Sequence, residues 1–164
     1  MKKICFLDCD GVLNSDATFD YYGGWGGHFS ETDPATEQNV RWGQELVDNL
    51  KYIVEQTGAS IVISSTWRHY FSVEKFKEMF KVYGWDKAPV IAKTAELNYR
   101  SNTCRGLEIN KYLSENKVDS YVILDDISQF LIEQQEAFVH TNMLDGLSFD
   151  DAKKAVEILN KTII

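Results

Sequence analysis

Three short apolar runs set the frame of this chain: Ile4-Cys5-Phe6-Leu7, Ser60-Ile61-Val62-Ile63 and Tyr121-Val122-Ile123-Leu124. None alternates apolar with polar positions. Strands buried on both faces read this way, as in a parallel sheet covered by helices. Each run stops at polar residues: Asp8, then Ser64-Ser65-Thr66, then Asp125-Asp126. Two weaker runs, Pro89-Val90-Ile91 and Ala137-Phe138-Val139, predict further strands. Helically spaced apolar residues lie between the runs. Val40, Val47, Leu50 and Val54 predict a helix over about 37–56, with Gly58 as its stop. Val73, Phe76, Phe80 and Tyr83 predict one over about 73–83, with Ser72 as N-cap. Leu107, Ile109, Tyr112 and Leu113 predict one over about 104–115, capped by Thr103 or Asn102. A last helix over about 149–161 follows Ser148, and Asp151 three residues on makes a capping-box-like start. Its apolar face is Phe149, Ala152, Val156 and Leu159. Strands alternating with helices give the α/β class: an open, mostly parallel sheet with helices on both faces.

The stretch 14–35 breaks this rhythm. It holds Phe19, Tyr21-Tyr22, Gly23-Gly24-Trp25-Gly26-Gly27, His28 and Phe29. A loop this long inside a compact domain is uncommon and often functional. It reads either as a small flap insert over the mouth of the sheet or as a surface loop pinned by its own aromatics. Tyr21, Tyr22 and Trp25 either stack on a base or pack among themselves. No repeat, low-complexity linker or boundary divides the chain, so residues 1–164 read as a single domain.

Composition narrows the function classes. At 44% hydrophobic and 26% charged, the chain can bury a core and is not disordered by composition. No run approaches the roughly 18 continuous apolar residues of a membrane span. The start Met1-Lys2-Lys3-Ile4 reads as the opening of a strand rather than a signal peptide, which sets the expectation of a cytoplasmic protein. The three cysteines, Cys5, Cys9 and Cys104, include no CxxC pair, against a disulfide frame or a zinc site. Cys9 lies between two aspartates whose field disfavours a reactive thiolate. A net charge of −8 disfavours a broad nucleic-acid footprint but leaves room for a pocket that grips one terminal phosphate.

In an open α/β sheet, ligands bind outside the carboxyl ends of the strands. Those ends here carry Asp8, Ser64 to Thr66 and Asp125-Asp126, with Asp10 two residues past Asp8 and Gly11 for a sharp departure. Four carboxylates gathered this way repel one another. A divalent cation offsets the repulsion, and all-oxygen ligands suit Mg²⁺. Mg²⁺ also takes phosphate oxygens, so an anionic carboxylate can attack an anionic phosphoryl group while a second, protonated carboxyl serves the leaving oxygen.

Leu7-Asp8-Cys9-Asp10-Gly11-Val12 resembles the first motif of the haloacid dehalogenase (HAD) superfamily, Ile63-Ser64 its second, and Val122-Ile123-Leu124-Asp125-Asp126 the paired-Asp form of its fourth. Ser64-Ser65-Thr66-Trp67-Arg68, Arg105-Gly106-Leu107-Glu108-Ile109 and the tail Val139-His140-Thr141 with Gly146-Leu147-Ser148 resemble the small HAD domains of RNA-repair and phage proteins. Those are similar to the phosphatase module of bacteriophage polynucleotide kinase-phosphatase. The resemblance implies a Rossmann-like HAD fold and a Mg²⁺-dependent phosphomonoesterase that works through an aspartyl phosphate. It implies that Asp8 is the nucleophile and that Asp10 is the acid and base, with its carbonyl on Mg²⁺. Asp125 becomes a metal ligand, and Asp126 a ligand or support. Ser64 binds the phosphoryl, with Ser65 as alternative, and Arg68 clamps a substrate phosphate. The basic residue of the third motif is Arg105, with Arg100 and Lys93 as rivals. The implied substrate is a nucleotide or a polynucleotide 3′-phosphate end; a small-molecule phosphatase or nucleotidase is the alternative. A receiver-like signalling domain or a binding-only HAD fold are the non-catalytic readings. In a receiver the acidic pair follows the first strand and the phosphorylated Asp comes later, the reverse of the order here. Trp67 reads as packing, His69 and His140 as structural or solvated, and His28 as a loop residue near the substrate.

Overall fold

The computed structural model describes residues 1–21, 41–97 and 104–161. Five strands form one sheet: β1 (Lys3–Leu7), β2 (Ser60–Ile63), β3 (Val90–Lys93), β4 (Ser120–Asp125) and β5 (Phe138–His140). Their order is β3-β2-β1-β4-β5 and every pairing is parallel. The expected "mostly parallel" sheet is thus wholly parallel among the described residues.

The absence of alternation in the strands has its reason in the packing. Cys5, Leu7, Ile61, Ile63, Val122 and Leu124 face one core, and Ile4, Phe6, Val62 and Ile123 face another. The first core is closed by α2 (Gln44–Thr57), α3 (Val73–Val82) and α5 (Phe149–Asn160), through Leu50, Phe76, Phe80, Ala152 and Leu159 among others. The second is closed by α4 (Cys104–Glu115), through Ile109, Tyr112 and Leu113. Helices therefore cover both faces, and both residue parities along each strand must be apolar.

Caps behave as their chemistry requires. Ser72 Oγ accepts the Lys75 N–H at 3.1 Å and starts α3. Ser148 and Asp151 form a reciprocal capping box on α5. Gly58 ends α2 in the left-handed region at φ 69°.

Three expectations needed adjustment. The helix expected from about 37 starts at Gln44. Residues 41–43 are held outside it by tertiary bonds: Trp42 N–H donates to Tyr83 Oη at 2.7 Å and Gly43 N–H to the Leu13 carbonyl at 2.8 Å. Phe149 and Leu107, counted on buried faces, are 47% and 37% exposed; Phe149 lies against Tyr52 at 5.0 Å. The stretch read as an insert from residue 14 opens with a short helix α1 (Asp16–Tyr21), while its glycine- and aromatic-rich part lies outside the described residues. No helix among the described residues is long and apolar enough to cross a membrane.

The register positions the site. Leu7 pairs with both Ile63 and Leu124, so β1, β2 and β4 end level. The residues that follow continue the ladder: Asp8 N–H donates to the Leu124 carbonyl at 3.0 Å and Ser64 N–H to the Leu7 carbonyl at 2.8 Å. The chain winds to one side of β1 for β2 and β3, then to the other for β4 and β5. The carboxyl end of β1 is thus the switch point, where a crevice opens in this architecture.

Candidate active site

Asp8, the first residue past β1, is 3% exposed. Burial pushes its carboxyl above the usual carboxylate range, against the opposing pull of Arg105, the Ser65 hydroxyl and the Cys9 N–H. The contacts are direct. Asp8 Oδ1 accepts the Cys9 N–H at 2.8 Å and Oδ2 accepts Arg105 Nη1 at 2.8 Å. The same Nη1 donates to Asp125 Oδ2 at 2.5 Å, so one guanidinium ties the ends of β1 and β4 together. Burial raises Asp125 to about 7, with neighbouring Asp8 adding to the rise, while Asp125 Oδ1 accepts the Ile127 N–H at 2.9 Å. Burial opposes the charge on Arg105, but Asp8 and Asp125 outweigh it and hold the guanidinium protonated. Burial also raises Asp126.

Carboxylate oxygens of Asp8, Asp125 and Asp126 lie within 4.8 Å of one another. Among the described residues, Arg105 is the cation bonded to this cluster, and it reaches only Asp8 and Asp125, a deficit of positive charge that a divalent ion would balance. Hard oxygen donors at this spacing fit such an ion and suit Mg²⁺. The carboxylate of Asp10 stands apart from this cluster. Its Oδ1 accepts Asn14 Nδ2 at 2.8 Å and its Oδ2 accepts Trp67 Nε1 at 3.0 Å. Two acids two residues apart thus have different partners, the separation that distinct chemical roles require.

Gly11 makes the turn possible. Its φ is 71°, and a Cβ there would meet Asp126 Cγ at 2.5 Å. Thr141 Oγ1 donates to its carbonyl at 2.7 Å, and its N–H donates to Asn14 Oδ1 at 3.0 Å. The chain leaving β1 is therefore fastened to the end of β5 and to its own next turn.

Among the expected basic residues, Arg105 is the one that the structure brings to the acids. Arg105, in the first turn of α4, reaches Asp8 and Asp125. Lys93 instead donates to the carbonyls of Arg68 and Phe71 at 2.8 and 2.9 Å, and Arg100 lies outside the described residues. Of the two serines, Ser65 bonds Asp8, whereas the Ser64 hydroxyl is buried without a partner among the described residues. Of the two serines expected as alternatives, Ser65 is thus the one whose hydroxyl acts on Asp8. Ser65 Oγ also accepts the Trp67 N–H at the start of the 3-10 turn Thr66–His69.

Arg68, expected as a phosphate clamp, is engaged within the protein. Its Nη2 pairs with Glu108 Oε1 at 2.7 Å and its Nη1 donates to the Ser65 carbonyl at 2.8 Å, both side chains being buried. A guanidinium taken into the interior needs a carboxylate, and α4 supplies one a single turn past Arg105. Glu108 also accepts the Leu97 N–H at 3.2 Å. The pair fastens the serine turn to the helix that carries Arg105. A cavity of about 440 Å³ borders Arg105, Arg68 and Glu108 on one side and Ile127, Gln129 and Phe130 on the other.

The two described histidines bond elsewhere than to Asp8 or Asp10. His140 Nε2 bonds the Asp126 carbonyl at 2.8 Å and His69 Nδ1 lies 3.3 Å from Glu96. Cys5 and Cys9 are free and buried; burial pushes Cys5 up to about 12, and burial with Asp8 and Asp10 raises Cys9. Asn14, Glu108 and Thr141 were given no role from the sequence: Glu108 and Thr141 stood only inside quoted motifs, and their partners are distant in the chain. Only the spacing of Asn14, four residues past Asp10 in a turn, hinted at the first. His28, Tyr22 and Trp25 lie outside the described residues.

Residues 4–152 match the family model described as the HAD domain in Swiss Army Knife RNA repair proteins. No curated protein and no solved structure matches the chain. The match runs from β1 into α5 and takes in every residue of the site above. With a five-stranded parallel sheet and paired acids at its carboxyl edge, the chain belongs to the HAD domains of Swiss Army Knife RNA repair proteins.

Proposed function

We propose that this chain is a phosphomonoesterase that attacks its substrate with Asp8 and acts on the 3′-phosphate end of a polynucleotide. The observation that carries the reading is the division of labour among the acids. Asp8 is tied to Arg105 and grouped with Asp125 and Asp126, while Asp10 is held separately by Asn14 and Trp67.

In the first half-reaction an Asp8 oxygen bonds to phosphorus and the bond to the leaving oxygen breaks. The Asp10 proton goes to that oxygen. In the second half, water attacks the same phosphorus and gives a proton to Asp10, and the bond to Asp8 breaks. Arg105 balances the charge that builds on the phosphoryl oxygens, and the Ser65 hydroxyl holds Asp8 in line. Asp8, Asp125, Asp126 and the Asp10 carbonyl would hold Mg²⁺, which when bound lowers the repulsion between carboxylate and phosphate.

The family's description as domains of RNA repair proteins supports this choice of substrate class. It also agrees with an acidic chain that grips one terminal phosphate rather than a long backbone. The test is a substrate panel with and without EDTA. A 3′-phosphorylated oligonucleotide should give a higher kcat/KM than the matching mononucleotide. A preference for the mononucleotide would remove the end-processing reading and leave a nucleotidase.

A further inference from the structure

We propose that Trp67 is a positioning residue for the acid–base carboxyl Asp10, sharing the task with Asn14; this rests on the phosphatase reading above. A carboxyl on a short side chain at a turn is free to rotate unless something holds it. Both oxygens of Asp10 are held, by donors from two different elements: Trp67 Nε1 at 3.0 Å and Asn14 Nδ2 at 2.8 Å. A carboxylate oxygen has two lone pairs. Each donor takes one, leaving one on each oxygen for the proton that the chemistry transfers.

The holders are themselves fixed. Trp67 is 5% exposed, stacks on Trp42 at 5.8 Å and 29°, and meets Phe71 at 5.9 Å. Trp42 in turn packs on Phe80 at 4.9 Å, deep in the larger core. Asn14 is 1% exposed and also accepts the Gly11 N–H. Packing alone does not call for an indole at position 67, since a phenyl ring would fill an apolar contact. The comparison with Trp42 makes the point: its indole N–H is buried without a partner among the described residues, so the core tolerates an idle one. The N–H of Trp67 meets the one carboxylate that must deliver a proton in a fixed direction. Proton transfer depends on that orientation.

The test uses Trp67→Phe and a series of aryl phosphates of similar shape, from phenyl to 2,4-dinitrophenyl phosphate. A poor leaving group needs the Asp10 proton and a good one leaves without it. The variant should lose at least about tenfold more kcat/KM on phenyl phosphate than on dinitrophenyl phosphate. Its plot of log kcat/KM against leaving-group pKa should be steeper than that of the wild type. An equal loss across the series would make Trp67 a scaffold residue and overturn the proposal. Should Trp67→Phe fail to fold, benzothienylalanine at position 67 keeps the shape, removes the N–H donor and is read by the same slope. Wild-type activity that survives Asp8→Asn would instead overturn the phosphatase reading.

Discussion

In EDTA the protein should lose stability as pH rises from 5 to 7, and Asp125 is a cause whose size can be worked out. Its carboxyl stands at about 7 in the folded protein against a reference of 3.8, because burial and the neighbouring Asp8 disfavour its charge. The folded protein keeps a proton on Asp125 that the unfolded chain has already released. Folding takes up that proton throughout the interval, so the stability curve slopes downward with pH and levels off above about 7. Each pH unit is worth about 1.36 kcal/mol. The slope falls to half as pH reaches 7, so the loss from Asp125 between pH 5 and pH 7 is about 2 kcal/mol, or roughly 4–8 °C in Tm for a chain of this size. The assay is thermal or urea unfolding at half-unit pH steps in EDTA. Asp125→Asn, which keeps the shape and removes its titration, should make the slope shallower. Saturating Mg²⁺ should also flatten it, because the ion binds the ionised carboxylates of the folded state alone. A wild-type curve that is flat or rising over this window would refute the reasoning.

Other consequences follow from single contacts. Gly11→Ala forces a left-handed φ on a residue with a Cβ and drives that Cβ into Asp126. It should cost about 2–4 kcal/mol in urea unfolding and weaken Mg²⁺ binding by calorimetry. Glu108→Ala leaves the buried charge of Arg68 without its carboxylate and should cost about 3–5 kcal/mol. The double variant Arg68→Met, Glu108→Leu should recover most of that loss, as a structural pair requires and a substrate clamp does not. Arg105→Gln removes the cation shared by Asp8 and Asp125 and should lower kcat/KM about 10²–10³-fold in the phosphatase assay.

The layout of the sheet was open to sequence reading because burial on both faces leaves a simple trace, a run with no alternation. Asp8 and Asp125 stood out as candidates because a carboxylate that abruptly ends an apolar strand is out of place unless it works there, and Asp10 and Asp126 through the motifs they share with them. Arg105 was harder to see. It comes from a helix rather than a strand end, and only the fold shows that the first turn of α4 reaches β1 and β4. Ser64 and Ser65 are adjacent and chemically alike, so the side each one faces is settled only by the turn that follows them. The buried pairing of Arg68 was not legible because its partner Glu108 is 40 residues away, and a buried ion pair has no local signature. Trp67 was read as packing, which it is; its indole N–H to Asp10 spans 57 residues.

The central claim is that Asp8 itself takes the phosphoryl group. The most direct measurement is an acid-quenched single turnover with a 3′-phosphorylated oligonucleotide and Mg²⁺, followed by mass spectrometry of the N-terminal peptide. The account predicts a transient gain of one phosphoryl group on Asp8, which vanishes along with hydrolysis in Asp8→Asn. Hydrolysis that proceeds at the wild-type rate in Asp8→Asn, or a phosphoryl group found on another residue, would contradict it.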